Sequence, residues 1–175
     1  MLNRYILKII VTGLIFSIII ISGCTTLPTN YEDETLSFNV PPHWRVNEEQ
    51  ISDELAKLQP VDAIYPVIYI HQSDLKPRDI IDGYVTNYPY EYPRFKVVTR
   101  EYVKVNGFEG EKLIYKNSAQ DDFLLIGPDF FSVVVAFGKS NQTYVISTTE
   151  AMEHTYYSRV EPALEVLLNS IKVKE

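Results

Sequence analysis

The chain of 175 residues has one cysteine, seven glycines, three histidines and one tryptophan. Each shortage removes a class of chemistry. A lone thiol permits no internal disulfide and no zinc site built on several cysteines. The closest pair of glycines, in Asn106-Gly107-Phe108-Glu109-Gly110, has the form of a hairpin rather than of a phosphate-cradling loop. His43, His71 and His154 are scattered, with no helical or Cys-paired ligand spacing. His71 and Asp74 are near enough in sequence to share a hard metal ion, but a solvated surface histidine is the favoured reading. No Gly-x-Ser-x-Gly elbow accompanies any of them. Basic residues are also short, 16 Lys and Arg against 23 Asp and Glu. Nucleic acid rewards clustered cations, so it is not an expected partner, and neither is an anionic lipid surface on which the domain would lie flat. No catalytic residue, metal ligand or cofactor follows from these residues.

What the chain does have begins at its amino terminus. Arg4 and Lys8 precede an apolar run, Ile9 to Ile21, interrupted only by Thr12, Gly13 and Ser17. A basic start, an apolar core of about 7–15 residues and small residues at its end make a secretory signal. The run is short of the roughly 20 residues that cross a bilayer. Its last residues, Ile21-Ser22-Gly23-Cys24, resemble a lipobox, the site at which prokaryotic lipoproteins are cut before a cysteine that carries a diacylglyceryl group. Two acyl chains anchor stably where one binds reversibly, at about 0.8 kcal/mol per buried methylene. An uncleaved membrane helix starting near Tyr5 is the alternative. Either way the remainder lies outside the cytoplasm. Thr25 after the cysteine leaves an outer-membrane location open if the cell has two membranes.

The expected organisation is a signal over 1–23, an acidic tether over 24–34 and one domain over 35–175. The tether, with Pro28 and Glu32-Asp33-Glu34, would reach at most about 36 Å over ten residues. The acidic triplet, like Asp121-Asp122, is read as solvated rather than as a calcium site. Leu36–Val40 alternates as a strand and ends at Pro41-Pro42, after which Trp44-Arg45-Val46 is extended. Asn47, with Gln50 three residues on and Ile51, Leu55 and Leu58 on one face, predicts a short helix that Pro60 stops. Val61–His71 reads as a strand with Pro66 at an edge or bulge. A helix is expected over Leu75–Asn87, capped by Asp74, with Pro77 in its first turn. Asn106-Gly107 between two alternating runs predicts a type I′ hairpin. Two more strands, near 122–137 and 143–149, precede a carboxyl-terminal helix with Met152, Tyr156, Val160, Leu164 and Leu168 at four-residue spacing. Pro162 either kinks that helix or opens its main part. No internal repeat or interdomain linker breaks the domain. Its class is α+β, an antiparallel sheet flanked by helices.

Several short segments resemble the PsbP-like family. They are the opening Leu36-Ser37-Phe38-Asn39-Val40-Pro41-Pro42-His43-Trp44, the hairpin Val103-Lys104-Val105-Asn106-Gly107-Phe108-Glu109-Gly110 and the close through Thr143–Ser147 and Leu164–Lys172. The resemblance spans most of residues 35–173 and implies an α/β/α sandwich. It also implies a role in binding or assembling larger complexes, with no shared catalytic residues. Photosystem binding, known for some members, does not carry over, and the stretch Glu48–Leu58 departs from the pattern.

Tyr84, Tyr88, Tyr90 and Tyr92 fall within nine residues, interleaved with Pro89 and Pro93. Tyrosine brings large contact area and a hydroxyl to recognition surfaces, and proline lowers the ordering cost. Tyr88, Tyr90 and Tyr92 are therefore candidate partner-binding residues on a loop; the alternative is that these tyrosines cap the core. Tyr84 is assigned to the core either way. The reading favoured by the sequence is a non-enzymatic, lipid-anchored module that binds a membrane or envelope protein. Alternatives are a small-ligand domain for a glycan or lipid fragment, and an envelope hydrolase. Mass spectrometry of the membrane-bound protein is expected to show an amino terminus at Cys24 carrying a diacylglyceryl mass, and Cys24→Ser is expected to abolish both the mass and the cut. An amino terminus at Met1 without acyl mass in the parent protein would instead indicate the uncleaved helix.

Overall fold

The computed structural model describes residues 29–47, 54–92, 94–118, 127–139 and 142–174. The lipobox residues Ile21, Ser22 and Gly23, the lipidation candidate Cys24 and the pair Asp121-Asp122 lie outside them.

Strand β8 (Asp129–Lys139) organises the molecule. Residues 131–137, Phe-Ser-Val-Val-Val-Ala-Phe, are all buried, so both faces of the strand need cover. Val133, Val135 and Phe137 face one core, and Val134 and Ala136 face another. Period-two alternation divides the neighbours in the same way. In β9 (Gln142–Thr148), Tyr144 and Ile146 join the first core and Val145 the second. In β7 (Phe108–Ser118), Leu113 and Tyr115 join the second.

The sheet is antiparallel throughout. Its order is β3 (Trp44–Val46), β4 (Glu54–Pro60), β5 (Ile68–Ser73), β9, β8, β7 and β6 (Lys96–Val105), with β10 (Ala151–Met152) also paired to β8. The β6–β7 connection is the expected Asn106-Gly107 turn, with φ of 50° and 83°. Helix α1 (Pro77–Glu91) covers the second core with Ile81 fully buried and Ile80, Tyr84, Val85 and Tyr88 beside it. The first core is covered by the carboxyl-terminal helical segment, comprising α2 (Glu153–Thr155), a π-helical turn Tyr156–Val160 and α3 (Glu161–Ser170). A small sheet of β1 (Asn30–Glu32), β2 (Leu36–Asn39) and β11 (Lys172–Val173) completes that side through Leu36, Phe38 and Ile171. The result is the expected α+β sandwich, with one helical layer on each face.

Several local expectations are corrected. Glu54–Pro60 is a strand, not a helix, because Ala56 and Leu58 alternate inward and pair with Ile70 and Ile68. Val61–Val67 is a loop with a cis Tyr65–Pro66 bond, and the strand starts only at Ile68. Helix α1 begins at Pro77 behind Lys76 rather than at a capping Asp74, and it continues to Glu91 through Pro89. The folded region also reaches further back than residue 35. Tyr31 stacks on Phe38 at 4.8 Å and donates a hydrogen bond to the Leu55 carbonyl. Asp33 Oδ1 accepts from the Thr35 and Leu36 amides, and Glu32 pairs with Lys174 at 2.8 Å. The acidic triplet is thus partly engaged in structure. Pro162 sits at the start of α3, directly after the π turn, in which the Glu161 amide bonds back to the Tyr156 carbonyl. The wider turn offers the proline ring a place in a continuous helical segment.

Two glycines give opposite expectations. A Cβ on Gly110 would lie 2.4 Å from the Ala136 carbonyl oxygen and 2.7 Å from Phe137 Cβ, across the β7–β8 pair. Gly83, inside α1, meets nothing within 4 Å. Thermal or denaturant unfolding should show Gly110→Ala destabilised by about 1–3 kcal/mol from overpacking. Gly83→Ala should gain about 0.5–1 kcal/mol from helix propensity.

Candidate aromatic end

The connections at one end of the main sheet bring the chemically unusual residues together. Val61 N donates to the His43 carbonyl at 2.9 Å, and Thr149 N donates to the Val67 carbonyl at 2.9 Å. Ala151 pairs with Phe131, and Phe131 pairs with Lys116. The β2–β3 turn, the Val61–Val67 loop, the start of β8 and the end of β7 therefore share this end. The carboxyl end of α1 joins them through a shallow cleft of about 390 Å³ lined by Tyr65, Tyr88, Tyr92, Tyr115 and Thr149.

Helix α1 is aimed at this end by a charge network. Arg100 on β6 donates to Glu111 on β7 at 2.8 Å through Nε and reaches Asp82 on α1 at 2.7 Å through Nη1. The Glu111 side chain is only 6% exposed, so its desolvation is offset by this paired cation. Glu111 and Asp82 together raise the affinity of Arg100 for its proton, hydrogen bonding to Glu111 being the larger cause.

The predicted tyrosines do not form a loop. Tyr88 and Tyr90 belong to the last turn and a half of α1, and only Tyr92 follows it. Their roles separate. Tyr88 packs against Tyr84, Tyr92, Phe95 and Tyr115, with ring centroids 4.7–6.0 Å apart. This stack roofs the second core. Burial, reinforced by the neighbouring Tyr88, raises the Tyr84 and Tyr115 hydroxyls far above the ordinary phenol range, so both stay neutral. Tyr92 is partly exposed and stacks on Tyr88, whereas Tyr90 is 86% exposed. The structure thus brings Tyr88 and Tyr92 together and leaves Tyr90 to solvent.

A second cleft of about 580 Å³ opens at the same end, between the sheet edge and α3. Pro41, Pro42, His43, Trp44, Asp62 and Arg159 are among its lining residues. The Pro41–Trp44 turn closes with a 3.1 Å bond from the Trp44 amide to the Pro41 carbonyl, and His43 holds φ at 65°. Pro42 preceding a residue of positive φ is the signature of a type II turn. Trp44 is buried in the first core, as the sequence indicated. Arg159 holds both carboxylate oxygens of Asp62, at 2.9 and 3.1 Å, and this hydrogen bonding lowers the Asp62 pKa. Ser158, His43 and Asp62 share the cleft wall, yet no hydrogen bond among the described residues joins Ser158 to His43. The guanidinium, not an imidazole, occupies the carboxylate. The pair pins the Val61–Val67 loop to the carboxyl-terminal helical segment.

His71 and His154 stand apart from both clefts just described. His71 lies on β5 beside a groove of about 360 Å³ along α1, and burial lowers its pKa. His154 is exposed on α2. Among the described residues no group of three or more His, Cys, Asp or Glu side chains is placed to hold a metal ion. Sequence alone gives the Val61–Val67 loop no functional role, because the apolar residues of Val61-Asp62-Ala63-Ile64-Tyr65-Pro66-Val67 predict a strand.

No family model and no curated protein matches the sequence. Solved structures do match the fold. Cyanobacterial PsbP (CyanoP) from Synechocystis sp. PCC 6803 superposes with a TM-score of 0.57 at 10% identity, over 87% of this chain and 96% of that one. LpqN, involved in cell envelope biogenesis of Mycobacterium tuberculosis, gives 0.56 at 15% identity, over 85% and 90%. The fold is PsbP-like, in agreement with the segments that carried the resemblance.

The division of the tyrosines can be measured. Tyr88→Ala should lower stability by about 1–3 kcal/mol in denaturant unfolding, since it opens the aromatic roof, whereas Tyr90→Ala should stay within about 0.5 kcal/mol of the parent.

Proposed function

We propose that the protein is a non-enzymatic, lipid-anchored lipoprotein on the outer side of the cytoplasmic membrane or, where there are two membranes, of either one. Its domain binds an envelope protein through the exposed carboxyl end of α1. The observation that carries this reading is Tyr90, a large aromatic side chain almost wholly in water beside the stacked Tyr88 and Tyr92. A solvated tyrosine on a rigid helical base offers contact area at small entropic cost. The address rests on the apolar run and Ile21-Ser22-Gly23-Cys24. Among the described residues no helix is long and apolar enough to cross a membrane. The PsbP-like fold is consistent with a binding role, and LpqN supplies an envelope precedent for that fold.

A second reading is favoured by one feature. The 580 Å³ cleft beside Trp44, Pro41 and Pro42 is of the size that takes a small ligand such as a glycan or lipid fragment.

The test is site-specific photocrosslinking from position 90 in native membranes, followed by identification of the adduct. A discrete protein adduct that is competed by the parent protein, together with weakened co-purification by Tyr90→Ala at unchanged stability, is the expected result. Undiminished co-purification by Tyr90→Ala would remove this contact. A co-purified small molecule with no adduct at position 90 would favour the cleft.

A further inference from the structure

The place where the chain enters the domain points to a second surface. Val40 N donates to the Thr29 carbonyl at 2.7 Å, so residue 29 lies beside the Pro41–Trp44 turn. That turn is bonded through His43 to Val61, the first residue of the Val61–Val67 loop. Only four residues separate Cys24 from Thr29, and the five steps between their Cα atoms span at most about 18 Å. The opposite end of the sheet, at the Asn106-Gly107 turn, is the length of an 11-residue strand away, or about 35 Å. A cysteine held by its acyl chains therefore keeps the Val61–Val67 end, and not the hairpin end, against the bilayer.

That end is dressed for such a neighbour. Val61, Ile64 and Tyr65 are 60%, 74% and 67% exposed, and Met152 and Tyr157 are also exposed nearby. Within the loop the one carboxylate is Asp62, there is no Lys, Arg or His, and both Asp62 oxygens are occupied by Arg159. The loop presents aliphatic and phenolic surface without net charge, which suits the interfacial layer of a membrane, where tyrosine concentrates. It requires no anionic lipid, which accords with the acid excess of the chain.

We propose that the Val61–Val67 loop is a foot that seats Ile64 and Tyr65 in the headgroup layer of the bilayer that holds the Cys24 acyl chains, fixing the orientation of the domain. This inference rests on the lipoprotein reading of Cys24. The foot stands the domain upright and holds the Tyr90 end of α1 at the height of a membrane-embedded partner.

The test uses the full, lipidated protein reconstituted in phosphatidylcholine vesicles. An environment-sensitive fluorophore is attached at Ile64→Cys or, as a control at the opposite end, at Lys104→Cys, the acylated Cys24 being unreactive. The probe at position 64 should shift to the blue on reconstitution and lose intensity when doxyl-labelled lipid is included, while the probe at position 104 should do neither. Equal responses at the two positions would overturn the foot. Mass spectrometry of the same samples separates the two readings. An unmodified Cys24 overturns the anchor and the foot with it, whereas a diacylated Cys24 with an unquenched probe at position 64 overturns the foot alone.

Discussion

The double-sided burial of β8 is the constraint on which the rest depends. Seven consecutive residues from Phe131 to Phe137 are withdrawn from water, and a strand apolar on both faces cannot end a protein surface. Each buried Val or Phe is worth about 1.5–3 kcal/mol, so leaving either face open would forfeit several such contributions. One face takes α1, and the other takes the carboxyl-terminal helical segment together with the small sheet. The outer strand β6, mostly exposed, ends the sheet with Lys96, Arg100, Glu101 and Lys104 set among exposed Val97, Val98 and Tyr102, and such charges oppose pairing with another strand.

The same architecture sorts chemistry by position. Antiparallel strands alternate direction, so every second connection falls at the same end of the sheet. The Pro41–Trp44 turn, the Val61–Val67 loop and the segment that follows β9 share one such end. The Arg100–Glu111–Asp82 network and the Tyr88 stack direct the carboxyl end of α1 to the same place. Arg159 ties the loop to the π-helical turn, which stands where Pro162 follows in the helical segment. The tyrosine stack, the point where residue 29 joins the fold and an apolar loop thus become parts of one end of the molecule.

Much of this was legible in the chain. Asn106-Gly107 between alternating runs carried the hairpin, because only residues tolerant of positive φ fit a type I′ turn. Four-residue spacing of Tyr156, Val160 and Leu164 carried the closing helix, whereas Met152, expected on the same face, lies exposed on β10. The misreadings share a cause. Leu55 and Leu58 fit a helical face in isolation, but Ala56 and Leu58 fit a strand when β5 is alongside, and sheet pairing is a partner's contribution. Val61–His71 was rich enough in β-branched and aromatic residues to be a strand throughout, yet no ladder partner extends before Ile68. The helix expected to end at Asn87 instead runs through Pro89 to Glu91, where Tyr88 and Tyr92 are held by ring contacts on either side of the proline.

By itself the sequence determined the α+β class, the central apolar strands, the hairpin register and the cluster of tyrosines, since these follow from period, turn chemistry and composition. Only the tertiary structure decided which tyrosine roofs a core and which meets water. It also decided that Thr29 enters beside the turn that holds an exposed loop some thirty places further along the chain. The physical reason is common to both. Exposure and proximity are properties of the faces and ends that strand pairing creates, and pairing joins residues far apart in the chain.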